Sequence, residues 1–183
     1  GVPSPRFAVI DTRNSLSSQI EHALTSVTFP AVVKPVDSMG ARGVRRLAAP
    51  EGVEEAVTGA ASYAREGSVI LEEWIEGREY SIDALVYAGE ITITGIAERH
   101  IYFEPYFIEM GHTLPAELTS ERERELTDTF KAGVRALGIR NGAAKGDVFL
   151  RPDGSGAVGE IAARLSGGYM SGWTYPYATG VPL

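Results

Sequence analysis

Hydrophobic residues along this chain fall into two patterns, one typical of strands and one typical of helices. Short apolar or alternating runs, bounded by glycine, proline or polar clusters, predict strands. They occur at residues 7–10, 29–35, 44–47, 68–75, 79–87 and 90–98, and on both sides of Asp153-Gly154. The turn signal Ala88-Gly89 lies between two of these runs and predicts that they pair.

Helical spacing of apolar residues predicts three helices, beginning near residues 15, 50 and 120. The third begins with Ser120-x-x-Glu123, the pattern of a capping box. Gly67 and Gly138 are expected to follow the ends of the second and third helices, because glycine favours the residue after a helix. Residues 100–118 lack a clear period and are predicted to form a long, aromatic-rich loop.

The mixed order of these elements predicts an α+β fold with mostly antiparallel strands. A change from buried strand to charged, glycine-containing sequence occurs near residue 75. We therefore expect two lobes, a smaller one over residues 1–75 and a larger one over residues 76–183. Both ends of the sequence look like the middle of a loop, and the chain is expected to be a piece of a longer protein.

Composition narrows the classes of function. The 183 residues are 44% apolar and 22% charged, which is ordinary for a globular protein with a real core. The formal net charge of -7 argues against general binding to nucleic acid or to an anionic membrane, although a small anionic ligand could be held by local cations. The absence of cysteine excludes disulfides and thiolate metal sites, and it fits a cytoplasmic protein.

The acidic residues Asp147 and Glu160 lie on either side of Asp153-Gly154, a strong hairpin signal. A two-residue turn there would place the two carboxylates directly opposite each other, with Cβ atoms roughly 5 Å apart. Like charges so close are destabilising unless a cation such as Mg²⁺ lies between them. The alternative is a solvated hairpin face, or a five-residue loop that shifts the register and separates the two acids.

Three further segments carry candidate binding groups. Lys34 ends an apolar strand before a flexible loop, and the backbone amides from Ser38 through Gly40 to Gly43 would make a phosphate cradle beside it. The alternative is an exposed lysine before an ordinary turn. Arg164, followed by Ser-Gly-Gly, would stabilise charge on a transferring phosphoryl group, or it is a surface arginine.

The third segment combines aromatic, apolar and acidic residues that would suit a nucleoside. Its apolar side chains would wall a flat ring such as adenine, and Glu79 would accept hydrogen bonds from a ribose. The alternative is an edge strand with solvated charges. The wall would consist of Trp74 and Ile75, which lie between carboxylates in the sequence.

Taken in order, these motifs resemble the ATP-grasp superfamily, as in carboxylate–amine ligases related to D-alanine–D-alanine ligase, biotin carboxylase and carbamoyl-phosphate synthase. The resemblance covers nearly the whole chain, from Gly-Val-Pro at the start to Glu-x-x-x-Arg-Leu-x-Gly-Gly near the end. It implies two lobes, with antiparallel sheets and packed helices, that clamp a nucleotide. Adenine would be held by Glu72, Glu73, Trp74 and Ile75, and the ribose hydroxyls by Glu79. Lys34 would bind the α and β phosphates, and the loop with Ser38, Gly40 and Gly43 would close over the β and γ phosphates.

The resemblance also implies the remaining roles and the reaction. Asp147 and Glu160 would bind Mg²⁺, with Mn²⁺ as an alternative, and Arg164 would be catalytic at the γ-phosphate. ATP would phosphorylate a small-molecule carboxylate, and an amine or similar nucleophile would attack the acyl phosphate. Aromatic residues between 100 and 115 would face the substrate or pack within a lobe. No nucleic acid or membrane partner is implied, and a homodimer is left open.

Two departures from the family pattern bear on this expectation. Where the family often has Asn as a further metal ligand, this chain has Ala162. The family's N-terminal domain, with another phosphate-binding lysine, does not precede Gly1 in this sequence. A non-catalytic nucleotide-binding or assembly module, and a phosphotransferase acting on a hydroxyl, are therefore the competing hypotheses.

Overall fold

Residues 1–180 are described in the computed structural model, and they divide into two compact units. The first unit comprises Pro5–Trp74 and Ile101–Met110. The second comprises Gly1–Ser4, Ile75–His100 and the chain from Gly111 onward. The main division thus lies next to the expected one, but two short segments belong to the opposite unit. Residues 181–183 of the expected larger lobe lie outside the described residues.

The first unit contains a four-stranded antiparallel sheet with the strand order β1-β4-β2-β3. Two helices, α1 and α2, pack against it and share one apolar core that includes Ile10, Val33, Val57 and Leu71. Burying each such side chain contributes about 1.5–3 kcal/mol. The elements are β1 Phe7–Asp11, α1 Leu16–Leu24, β2 Ala31–Pro35, β3 Arg45–Leu47, α2 Val53–Ala61 and β4 Ser68–Glu73.

The expected role of Gly67 is wrong. Helix α2 ends at Ala61, six positions earlier, with Ser62 as its C-terminal cap. Gly67 has a φ of +71° in the turn before β4, and its carbonyl accepts a hydrogen bond from the Thr12 amide at 2.8 Å. The glycine therefore allows the turn that leads from the segment after α2 into β4, and it does not end the helix.

The second unit is built on a five-stranded sheet with the order β7-β6-β5-β8-β9. Helix α3 covers one face, where Leu126, Phe130 and Val134 pack against apolar side chains of β5 and β8. Residues predicted as a long loop extend β6 and form β7, so that prediction is wrong for much of 100–118. The elements are β5 Arg78–Tyr87, β6 Glu90–Tyr102, β7 Ile108–Thr113, α3 Ser120–Ala136, β8 Gly142–Leu150 and β9 Gly156–Ala162.

The ends of α3 show one wrong and one confirmed expectation. The N-terminal cap is Thr119, whose side chain accepts a hydrogen bond from the Arg122 amide, so the capping residue is not Ser120. At the other end Gly138 has a φ of +69°, as expected for the residue that follows a helix cap.

The glycine- and tyrosine-rich tail is folded. Met170–Thr174 forms a π-helical turn, and Tyr175–Thr179 forms a short helix, α4. The Tyr175 ring is buried against Gly95 of β6, where an added Cβ would lie 2.0 Å from the ring. Its hydroxyl donates to the Ser81 carbonyl at 3.1 Å. Among residues 1–180, no helix has the length and apolar character needed to cross a membrane.

Candidate functional site

The β8–β9 hairpin places Asp147 directly opposite Glu160. The facing pair was expected, but the expected two-residue turn is wrong. The strands close at Leu150 opposite Gly156, and residues 151–155 form the loop. This loop alone would displace Glu160 by one position.

A β-bulge restores the facing pair. Val148 pairs with Val158, whereas Asp147 pairs with Glu160, so Gly159 is the extra residue in β9. A Cβ at Gly159 would lie 2.6 Å from the Phe149 ring, which favours glycine at this point. Because strand side chains alternate between faces, the extra residue moves Glu160 away from the α3 side and onto the side of Asp147.

The Asp147 carboxylate is held by two cations. Its Oδ2 accepts from the Lys145 ammonium and from the Arg99 guanidinium, the latter at 2.9 Å. Arg99 is also paired with Glu79 on β5. These side chains lie on the sheet face opposite α3, which we call the polar face. Asp147 is only 6% exposed, whereas Glu160 is exposed.

The second oxygen of Asp147 is an acceptor without a donor. Oδ1 is buried and has no hydrogen-bond partner within the described part of the chain. Leaving a buried polar atom unsatisfied costs about 1–3 kcal/mol, and a bound cation would remove that cost. Residues 1–180 contain no group of three or more His, Cys, Asp and Glu side chains arranged for a metal. Asp147 and Glu160 therefore fit an ion that takes its other ligands from phosphate and water, as Mg²⁺ does.

Ala162 lies directly opposite Lys145 in the hairpin. The family resemblance suggests a further oxygen ligand at position 162. In this chain that position faces a lysine. The methyl group of Ala162 supplies no metal ligand, and Lys145 opposite it already binds Asp147.

Asp83 is a site residue that the sequence analysis missed. It is fully buried on β5, and its carboxylate accepts from the Ser166 amide at 3.2 Å and from the hydroxyls of Ser166 and Ser171. These bonds attach the segment after Arg164 to the polar face. A signal was available, because polar residues alternate with apolar ones from Glu79 through Ser81 to Asp83.

Arg164 itself lies at the surface. Its guanidinium donates to the Leu165 carbonyl at 3.0 Å, and the side chain is exposed. Asp83 binds Ser166, two residues after Arg164, and so restrains the backbone near Arg164. The Arg164 side chain remains accessible.

In the first unit, Lys34 is paired with Glu72. The ammonium lies 2.5 Å from the Glu72 carboxylate, and both side chains are largely buried. Glu72 is opposite Val32 across β2 and β4, which puts it on the same face as Lys34. Two of the predicted nucleotide-binding residues thus contact each other directly.

The predicted phosphate loop is anchored at its base. The Asp37 carboxylate accepts from the backbone amides of Arg65 and Glu66 at 3.0 and 2.8 Å. The Arg65 amide bond is the main reason that the pKa of Asp37 lies below its usual range. Beyond it, Gly40 and Gly43 have φ values of +68° and +73°, and Ser38 is half-buried.

Glu73 points to the opposite face from Glu72 and joins three segments. It pairs with Arg6 at 2.8 Å and accepts from the Thr28 hydroxyl and amide. Burial by itself raises the pKa of Glu73, but the hydrogen bonds from Thr28 and Arg6 outweigh it and lower the pKa to about 2. The side chain is therefore committed to contacts within the first unit.

Trp74 packs against the aromatic segment of its own unit. The Arg46 guanidinium lies 4.5 Å from its ring centroid, and the Phe107 ring lies 5.7 Å away. Arg46 also binds Glu104 at 3.2 Å. The aromatic residues between 100 and 115 were expected either to face the substrate or to pack within a lobe. Phe107 packs within its own unit. Ile75, the next residue, is buried in the second unit.

Comparison with known proteins gives a family match over most of the chain. A sequence model of the ATP-grasp domain matches residues 27–172. A D-alanine–D-alanine ligase of Ectopseudomonas mendocina is 29% identical over 159 residues, covering 84% of this chain and 48% of the relative. The chain thus spans about half the length of the curated relatives it matches.

Solved structures agree with the fold. The L-amino acid ligase of Bacillus licheniformis has a TM-score of 0.79 at 27% identity, covering 99% of this chain and 41% of that one. A biotin carboxylase–β-γ-ATP complex of Campylobacter jejuni has a TM-score of 0.78 at 18% identity, covering 99% and 40%, and shows the fold alone. The α+β prediction with antiparallel sheets is confirmed. Since the domain match spans most of its residues, the chain belongs to the ATP-grasp family.

Proposed function

We propose that this chain is the ATP-binding part of an ATP- and Mg²⁺-dependent ligase that activates a carboxylate for attack by an amine. The observation that carries the proposal is the opposed pair of Asp147 and Glu160, in which Asp147 Oδ1 is buried and has no partner. Family membership and the ligase relatives support ATP as the energy source.

The first unit would supply groups for the phosphates. In the first unit, Lys34 would exchange its Glu72 partner for phosphate oxygens, and the loop with Ser38, Gly40 and Gly43 would supply backbone amides. The adenine would lie next to Glu72, Trp74 and Ile75. Glu73 would fix the position of β4 and of the residues that follow it.

In the second unit, Glu79 would accept hydrogen bonds from the ribose, and Arg164 would bind the γ-phosphate. Asp147 and Glu160 would hold the Mg²⁺, which when bound neutralises charge on the phosphate oxygens. Since phosphoryl transfer depends mainly on positioning and charge neutralisation, the chemistry would need no protein nucleophile.

The reaction would proceed in two transfers. A carboxylate oxygen attacks the γ-phosphorus of ATP, the bond to the β-phosphate oxygen breaks, and ADP leaves. The amine then attacks the carbonyl carbon of the acyl phosphate, inorganic phosphate leaves, and the nitrogen loses a proton. Arg164 would stabilise the charge on the transferred group in both steps. The substrates would be a small-molecule carboxylate and an amine.

The test measures carboxylate-dependent ADP release by the full-length protein. We expect Asp147→Asn and Glu160→Gln each to lower it at least about 100-fold, because each removes a charged metal ligand. Asp128→Asn and Glu121→Gln are matched controls, since both residues are exposed on α3 of the same unit. Wild-type ADP release in both site variants would overturn the proposal.

Two competing functions are separated in the same preparation. A hydroxyl phosphotransferase would release ADP but yield no hydroxamate when hydroxylamine is added, whereas an acyl phosphate is trapped. A non-catalytic module would bind nucleotide in calorimetry without carboxylate-dependent turnover. Ala162 is the observation that favours this second candidate, since it removes one expected metal ligand.

A further inference from the structure

We infer that the ammonium group of Lys145 takes the place of a second divalent cation, so that the site binds one metal ion together with the nucleotide. The inference rests on the proposed function and adds to it a lysine for which the sequence analysis gave no role. Lys145 is buried on β8, its ammonium binds Asp147 Oδ2, and Ala162 is its direct neighbour on β9.

The available oxygens favour one metal. Asp147 Oδ2 already accepts from both Lys145 and Arg99, which leaves Oδ1 and the Glu160 carboxylate. A hard divalent cation can be held by one or two carboxylates plus phosphate oxygens and water. If the first ion takes Asp147 Oδ1 and one Glu160 oxygen, a second ion would find only the other Glu160 oxygen, because Ala162 supplies none.

The charges lead to the same conclusion. Glu79, Asp83, Asp147 and Glu160 bring four negative charges to the polar face, and Arg99 and Lys145 bring two positive charges. One divalent cation therefore balances this group, so that no excess negative charge remains there to hold a second ion. A second ion beside Lys145 would be repelled by the ammonium, because both would bind the same carboxylate.

Lys145 also has donors to spare. An ammonium group carries three N–H bonds, and the Asp147 bond uses one of them. As a compact point charge on a flexible stem, it can bind phosphate oxygens while it remains on Asp147. The ligand class is therefore the polyphosphate chain of a nucleoside triphosphate.

The experiment counts Mn²⁺ ions by electron paramagnetic resonance in the full-length protein saturated with a non-hydrolysable ATP analogue. We expect one Mn²⁺ per chain in the wild type and in Ala162→Asn. We expect two in Ala162→Asn combined with Lys145→Met, because the ligand is added and the competing cation is removed. Two ions in the wild type, or one in a folded double variant, would overturn the inference.

A second measurement separates phosphate binding from a purely structural ion pair. Lys145→Met alone should weaken binding of the analogue by about ten-fold or more, as expected for loss of a charge-assisted hydrogen bond. Lys131→Met on α3 is the control for the loss of a lysine in the same unit. Unchanged affinity in folded Lys145→Met would also overturn the inference.

The failure of this inference differs from the failure of the proposed function. If the wild type binds neither the analogue nor Mn²⁺, both are wrong. If it binds the analogue with two Mn²⁺ ions, the proposed function stands and only the role of Lys145 is wrong.

Discussion

At the scale of single residues, Glu72 and Glu73 show how adjacent acids acquire different tasks. Alternation along β4 sends Glu72 toward Lys34 and Glu73 toward Arg6 and Thr28. The first pair is an ion pair that a phosphate would replace under the proposed function. The second residue joins three segments of the first unit and has its pKa lowered to about 2.

Glu73→Gln should therefore destabilise the first unit in a pH-dependent way. A carboxyl whose folded-state pKa is about 2 and whose usual value is 4.5 stabilises the fold above pH 4.5. That contribution disappears as the pH falls toward 2. We expect the variant to lose about 1–3 kcal/mol of unfolding free energy at pH 7, and less at pH 3, in urea titrations.

The matched control for Glu73→Gln is Glu51→Gln, an exposed acid of the same unit. It should change the unfolding free energy by less than about 0.5 kcal/mol at either pH. A loss in Glu73→Gln that is the same at pH 7 and pH 3 would contradict the assigned pKa shift.

Sequence patterns predicted the facing acids but not the structure that brings them together. The prediction assumed a two-residue turn at Asp-Gly, whereas the pair is observed because a five-residue loop shifts the register by one position and the bulge at Gly159 shifts it back. The bulge at Gly159 could not be predicted, since it depends on contact with the Phe149 ring. Arg99 was also missed, because its partners Glu79 and Asp147 are distant from it in sequence. Lys145 was missed although Asp147 is two residues away on the same strand, where alternation puts both side chains on one face.

At the scale of secondary-structure elements, the tail after Arg164 is attached to the polar face by two devices. Asp83 binds Ser166 and Ser171, and Tyr175 occupies the space left by the missing side chain of Gly95. These two helical segments could not be predicted from the sequence, because five residues are too few to show a period.

Gly95→Ala should detach this tail from the sheet. The new Cβ would lie 2.0 Å from the Tyr175 ring, a distance that requires the ring to move. Overpacking of this kind costs about 1–3 kcal/mol, measured as a loss of unfolding free energy. In limited proteolysis, the variant should be cleaved within residues 166–180 after a shorter time than the wild type.

Gly111→Ala on β7 is the control, because an added Cβ there meets no atom within 4 Å. Combining Gly95→Ala with Tyr175→Ala should cost little more than Tyr175→Ala alone, since the clash is then absent. Full additivity of the two changes would show that Tyr175 is not what Gly95 accommodates.

At the scale of the whole molecule, each unit has its own sheet and its own apolar core. The predicted boundary near residue 75 came from a local change in composition, and the observed division lies between Trp74 and Ile75. The assignment of residues 101–110 to the first unit could not be predicted. It depends on contacts of Trp74 and Arg46 with side chains that follow in the sequence by about thirty to sixty positions.

Nucleotide binding should stabilise the molecule as a whole. A ligand at 100 times its dissociation constant adds about 2.7 kcal/mol to the unfolding free energy. We expect Mg²⁺ with a non-hydrolysable ATP analogue to raise the melting temperature of the full-length protein by several degrees. Asp147→Asn should lose most of that increase, while Asp128→Asn should keep it.

The two tryptophans of the chain are divided between the units. Trp74 is packed between Arg46 and Phe107 in the first, and Trp173 lies exposed beside Tyr177 in the second. Replacing either one leaves a single indole emitter in a known environment. When Trp173 is replaced, Trp74 is an intrinsic fluorescent reporter for the first unit, because unfolding would separate its ring from Arg46 and Phe107. Trp173 alone reports on the segment after Arg164, where its ring lies beside Tyr177.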